Sequence, residues 1–195
     1  MIELKDLSFS YGTQPILDHC SLTVPDGAHY AVMGPSGQGK TTLFRLILGL
    51  EQPSGGAVRC TGKFSCVFQE PRLLPWCSAL ENIRAVLPDD APDTAAMQAL
   101  EELELPAAAN MYPEELSGGM QQRLALARAL AYGGDTLLLD EPFKGCDPAL
   151  YDRVTALLRQ KCVGKTLLLI THDEQEARAL TERTLFLNGG CISIM

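Results

Sequence analysis

The sequence predicts an α/β fold with an N-terminal antiparallel β subdomain and a small α-helical subdomain inserted into the core. Three observations predict it. A Gly-rich segment, 34–41, lies between an apolar strand and a helix. Two continuous apolar stretches, 136–139 and 166–170, flank a helix read over 148–161, the pattern of parallel strands covered on both faces. Residues 71–116 are richer in Pro, Ala and acidic residues than the chain around them. The predicted domain spans 1–195, with 1–70 and 117–195 as the α/β core and 71–116 as the helical subdomain.

The elements follow in order. Residues 2–9, 16–24, 28–33 and 57–60 alternate or run apolar between the turn signals Pro25-Asp26-Gly27 and Pro53-Ser54-Gly55-Gly56, which predicts strands, mostly antiparallel. Apolar spacing predicts helices over 43–50 and 124–131, and helical patches at 79–87 and 94–103. A short strand is expected at 64–68. The stretch 136–170 then reads as a strand, helix, strand unit.

Composition bounds the function. With 195 residues, 46% of them apolar and 21% charged, the chain can bury one good core. A balance of 16 basic against 24 acidic residues, net −8, opposes tracking along a long polyanion, so no nucleic-acid partner is expected. A single nucleotide remains open, because backbone amides, one lysine and a magnesium ion can hold a phosphate chain. The 7 cysteines are odd in number and form no C-x-x-C pair, which predicts reduced thiols in the cytosol. Met1-Ile2-Glu3-Leu4-Lys5-Asp6 lacks the basic and apolar regions of a signal peptide. No apolar run approaches the roughly 20 residues a bilayer requires, so a membrane role would come through a partner.

Gly34-Pro35-Ser36-Gly37-Gln38-Gly39-Lys40-Thr41 fits G-x-x-x-x-G-K-[ST]. Glycines let the backbone fold around phosphates, so that N–H groups and the helix N-terminus at Thr41-Thr42 face the anion. Lys40 is placed to reach the β and γ phosphates and the Thr41 hydroxyl to ligate magnesium. Kinases, GTPases and motor ATPases share this pattern. A second Gly-rich segment, Leu116-Ser117-Gly118-Gly119-Met120-Gln121-Gln122-Arg123, leads the helix at 124–131. Ser117 can cap it and the glycines admit a ligand close to the backbone, although an ordinary N-cap has the same composition.

Taken together, the two segments resemble the Walker A and signature motifs of the ABC ATPase family, and further motifs fall in the family's order. Thr136-Leu137-Leu138-Leu139-Asp140-Glu141-Pro142 looks like Walker B, with Asp140 on magnesium and Glu141 on the attacking water. Gln69 matches the Q-loop glutamine, a further magnesium contact; Asp147 matches the D-loop aspartate and His172 the switch histidine. Tyr11 matches the aromatic that stacks on adenine. Singly, Tyr11 also reads as a strand-edge aromatic and His172 as a surface or capping histidine. Adjacent carboxylates ending a buried strand are costly unless a metal or ligand uses them.

The resemblance covers nearly the whole chain and implies a P-loop NTPase core of the ABC ATPase type that hydrolyses ATP with Mg2+. It also implies a head-to-tail homodimer. One subunit would supply Tyr11, Gly34, Ser36, Gly37, Gly39, Lys40, Thr41, Thr42, Gln69, Asp140, Glu141 and His172 to each site, with Lys40, Gln69, Glu141 and His172 catalytic. The other would supply Ser117, Gly118, Gly119 and Asp147. Integral membrane permease subunits, and indirectly a solute-binding protein, are the implied partners, at the cytoplasmic face of the membrane. Leu73, Leu74 and Trp76 lie on a segment expected to be exposed, suited to a groove for a partner's helix, although the same residues could instead pack inside the helical subdomain. With Met120, that segment looks like the importer branch for nitrate, sulfonates, taurine and related small solutes.

Lys144-Gly145-Cys146-Asp147 departs from the family's more usual Ser-Ala-Leu-Asp. The chain ends at Cys191-Ile192-Ser193-Ile194-Met195, so regulation through an appended C-terminal domain is not expected. A soluble ABC ATPase of DNA repair would carry a coiled coil or zinc insertion between Gln69 and Ser117, and a translation factor of this type two cassettes.

Overall fold

In the computed structural model, which describes residues 1–92 and 94–194, the chain divides into two units. Asp93 and Met195, both inside the expected 1–195 domain, lie outside the described residues. The first unit comprises Met1–Phe64, Asp135–Asp140 and Cys162–Met195; the second comprises Ser65–Gly134 and Glu141–Lys161.

In the first unit, the alternation near the N-terminus becomes β1 (Ile2–Tyr11), with Ile2, Leu4, Leu7 and Phe9 buried. It pairs antiparallel with β2 (Gln14–Val24) and β4 (Gly55–Cys60), giving the order β2-β1-β4. Bulges interrupt the alternation at Asp6 and His19, which hold φ of 51° and 49°.

The strand expected at 28–33, within a group expected to be mostly antiparallel, is β3 (His29–Met33), and it is parallel to both its neighbours. They are β7 (Thr166–Ile170) and β8 (Arg183–Asn188). The unit's second sheet runs β6 (Thr136–Asp140), β7, β3, β8, β9 (Cys191–Ile194). Every residue of β6 and β7 is buried, which accounts for their continuous rather than alternating apolar sequence. The helix expected over 43–50 is α1 (Lys40–Ile47), ended by Gly49 at φ 68°. Helix α6 (Glu174–Leu180), β8 and β9 add to the elements expected from the sequence.

The second unit holds most of β5 (Phe64–Val67), then α2 (Ala79–Arg84), α3 (Ala95–Glu102), α4 (Gly118–Tyr132) and α5 (Pro148–Lys161). Helix α4 starts well before the expected 124, at the Ser117 cap, and stops at Gly133 in the left-handed region. Two side chains organise this unit. Asn82, fully buried, donates to the carbonyls of Leu74, Cys77 and Ser78 and accepts from Leu74 N–H and Arg128 Nη1. Arg128 also donates to the carbonyls of Pro71 and Arg72, fixing the start of the Leu73 to Trp76 segment to α4.

Candidate functional site

The first unit brings the phosphate-loop residues and Asp140 to one edge. Parallel pairing aligns Val32 with Ile170 and Ile170 with Asp140, so β3, β7 and β6 end level. Gly34 and His172 each follow just beyond that line, at the carboxyl ends of the strands, where open α/β sheets collect ligands. There Thr41 Oγ1 donates to Asp140 Oδ2 at 2.6 Å. Asp140 is 2% exposed, and a carboxylate so placed is tolerated where polar or ionic partners compensate its burial.

The loop is shaped for an anion. Gly34, Gly37 and Gly39 adopt φ of 143°, 78° and 93°. A Cβ on Gly34 would stand 2.1 Å from the Leu187 carbonyl oxygen, and one on Gly39 would stand 2.4 Å from Ile16 Cγ2. Helix α1 opens at Gly39 with no side-chain cap and no acidic residue in its first turn, so its leading N–H groups point at the loop without an internal acceptor. Lys40 Nζ donates to the carbonyls of Gly34 and Pro35 at 2.8 and 2.9 Å, arching over the loop. Ser36 and Gly37 are exposed, while Thr42, in the first turn of α1, is buried. This donor set suits a phosphate chain with a hard cation at Thr41 and Asp140: amides and a lysine for the anion, hydroxyl and carboxylate oxygens for the metal.

His172 is exposed after β7, and Asp173 beside it caps α6 through Gln175 N–H at 2.6 Å. Tyr11, 43% exposed, ends β1 with its ring edge-on to Phe9 at 4.8 Å and its hydroxyl donating to Glu51 at 3.4 Å.

In the second unit, Gln69 Nε2 donates to Glu141 Oε2 at 3.4 Å. Glu141 holds φ 49°, a left-handed backbone at a residue with a Cβ. Ser117 and Gly118 are exposed at the head of α4, with Ser117 Oγ accepting from Met120 N–H at 3.3 Å. The Gly145 backbone lies against Gly119, where an added Cβ would stand 3.0 Å from the Gly145 oxygen. Asp147 Oδ1 accepts from Leu150 N–H at 2.9 Å and so also caps α5, beside the Pro148 that opens it. Burial pushes the half-buried Cys66 thiol above its ordinary value, opposed by Arg128 and Arg72. The buried amides of Asn82 and Gln122 and the guanidinium of Arg128 were passed over in the sequence, since no spacing rule marks a polar side chain that binds backbone carbonyls.

The sequence profile described as ABC transporter matches residues 17–144. An aliphatic sulfonates import ATP-binding protein, SsuB 2 of Mesorhizobium japonicum, is 43% identical, the match covering 99% of this chain and 79% of that protein. The SsuB protein of Granulibacter bethesdensis, also named for aliphatic sulfonates import, is 40% identical over 99% of this chain and 82% of its own length. Among solved structures, the post-hydrolysis dimer of the ATP-binding cassette MJ0796 bound to ADP and Pi superimposes with a TM-score of 0.91. Its identity is 30%, over 100% of this chain and 98% of that one. A second dimeric structure of that bacterial ABC transporter cassette gives 0.90 at 31% identity, covering 99% and 97%.

Proposed function

The chain belongs to the ABC transporter family of ATP-binding domains, and from that premise we propose that it hydrolyses ATP to drive an importer of aliphatic sulfonates. It acts as one half of a homodimer held by permease subunits at the cytoplasmic face of the membrane. The observation that carries the ATPase reading is the Thr41 to Asp140 pair at 2.6 Å beside the uncapped start of α1. The solute is read from the names of the relatives in two bacteria.

Residues 1–70 and 117–195 form the catalytic core in this reading, and 71–116 the helical subdomain. The phosphates lie against the amides from Gly34 to Thr42. Lys40 exchanges its carbonyl acceptors, Gly34 and Pro35, for phosphate oxygens and offsets charge that develops on the γ-phosphoryl group. Thr41, Asp140 and Gln69 would hold magnesium, which would supply positive charge to offset that of the phosphate chain. Glu141 orients and polarises the attacking water. His172 bridges the γ-phosphate to the water side, and Tyr11 stacks on adenine. The second subunit supplies Ser117, Gly118 and Gly119 at the head of α4, with Asp147, so hydrolysis waits on dimer closure.

Leu73, Leu74 and Trp76 are the permease contact. Trp76 is 74% exposed while Leu73 and Leu74 are half-buried, a composition suited to receiving an apolar helix. A solute-binding protein reaches the assembly only through the permease.

Uptake of a radiolabelled aliphatic sulfonate by cells that depend on this chain tests the proposal. Wild type should restore uptake and Lys40→Ala should not. Uptake that is unchanged with Lys40→Ala overturns the ATPase reading, and ATP-dependent uptake of a different solute overturns the sulfonate assignment alone.

A further inference from the structure

Gln122 lies on α4 in the turn after the Ser117 cap and is 2% exposed. A primary amide taken this far from water is destabilising unless its polar atoms find partners. Its Nε2, which carries two hydrogens, donates to two backbone carbonyls, those of Phe68 and Glu141, each at a long 3.5 Å. Phe68 immediately precedes Gln69, and Gln69 Nε2 in turn donates to the Glu141 carboxylate at 3.4 Å. One buried amide therefore holds the backbone beneath both side chains assigned to the water and the metal.

The backbone of Glu141 gives this contact its importance. At φ 49° a residue with a Cβ stays only where its surroundings impose the conformation. Its carbonyl accepts Lys144 N–H at 3.2 Å from the turn that follows, and Gln122 Nε2 from α4. The first restraint belongs to the same loop and moves with it; the second ties the loop to a long helix. Gln121 next to it does something different, donating to Pro113 and Leu116 carbonyls at 2.8 and 3.1 Å within the helix's own lead-in.

We propose that Gln122 is a positioning residue for ATP hydrolysis: its amide fixes Glu141 and the chain at Gln69 in their working orientation from the same helix that presents Ser117 and Gly119. The inference rests on the proposed function and deepens it. It makes α4 a link by which engagement of the head of the helix is felt at the subunit's own Glu141 backbone, through packing and hydrogen bonds rather than through the nucleotide.

The test measures ATP affinity by fluorescent-nucleotide titration and turnover by phosphate release, for Gln122→Leu in the wild-type and Glu141→Gln backgrounds. The expected result is a fall in kcat of about tenfold or more with ATP affinity within about twofold, the split of a group that orients rather than binds. In the Glu141→Gln background the same change should lower the residual rate no further, because a residue acting through Glu141 has nothing left to act on. Gln122→Met, unbranched and close in length, is held to the same criteria where the Leu variant does not fold. A folded variant that keeps the wild-type kcat, loses affinity instead, or lowers the rate equally in both backgrounds overturns the proposal. If Glu141→Gln itself keeps parental turnover, the failure lies with the proposed function and not with Gln122.

Discussion

Gly34 shows how much of the site a single backbone angle decides. At φ 143°, with a Cβ placed 2.1 Å from the Leu187 carbonyl oxygen, any side chain there must displace the β8 backbone or the loop. Gly34→Ala is expected to destabilise the chain by more than about 1 kcal/mol and to weaken ATP binding at least about tenfold, since the loop amides lose their common aim. Thermal melting and fluorescent-nucleotide titration check the two parts. At this scale the legible residues were those whose spacing spells a chemistry, such as Lys40 and Thr41 after their glycines. Asn82, Gln122 and Arg128 stayed hidden because a polar residue inside a helical pattern looks solvent-facing until burial reveals the carbonyls it serves. Asp147, identified for an interface role, also caps α5, a task that its place just before Pro148 could have suggested.

Elements were legible where their signal was local. The continuous apolar runs at 136–139 and 166–170 became fully buried strands because both faces are covered. Strand direction was not legible in the same way: β3 is parallel because its partners are β7 and β8, far along the sequence, and alternation says nothing of them. The start of α4 was obscured by Gly118 and Gly119, poor helix formers held in place by a cap. Capping also gives α2 a measurable pH dependence. Ser78 Oγ accepts Glu81 N–H at 3.3 Å while the Glu81 carboxylate accepts Ser78 N–H at 2.7 Å, and that backbone bond, with the Ser78 hydroxyl second, holds the Glu81 carboxyl below its ordinary range. Ser78→Ala should cost about 1 kcal/mol in urea unfolding at neutral pH. A group whose pKa is lowered on folding stabilises fully above its unfolded value and stops doing so as pH falls through the folded one. The stability gap between wild type and Glu81→Gln is therefore expected to be complete near neutrality and to close below the ordinary carboxylate range; a gap that widens on acidification would contradict the assignment.

For the whole molecule, the sequence carried the family through motif order, and the comparisons place the chain there across nearly its full length. The partners were not legible from local chemistry, since the roles proposed for Ser117 and Asp147 require a second copy. Among the described residues no helix is long and apolar enough to cross a membrane. Closure of a homodimer around ATP should be visible once hydrolysis is blocked. Glu141→Gln is expected to sediment as a monomer without nucleotide and as a dimer with ATP, while a Ser117→Arg change in the same chain should abolish the shift.

The most direct test is steady-state phosphate release from ATP by the purified chain and its Glu141→Gln variant, at matched nucleotide occupancy. Wild type is expected to turn over and the variant to fall by at least about a hundredfold, as the loss of a group acting in the transition state requires. Turnover by the variant at the parental rate would contradict the assignment of Glu141 and the hydrolytic site built around it.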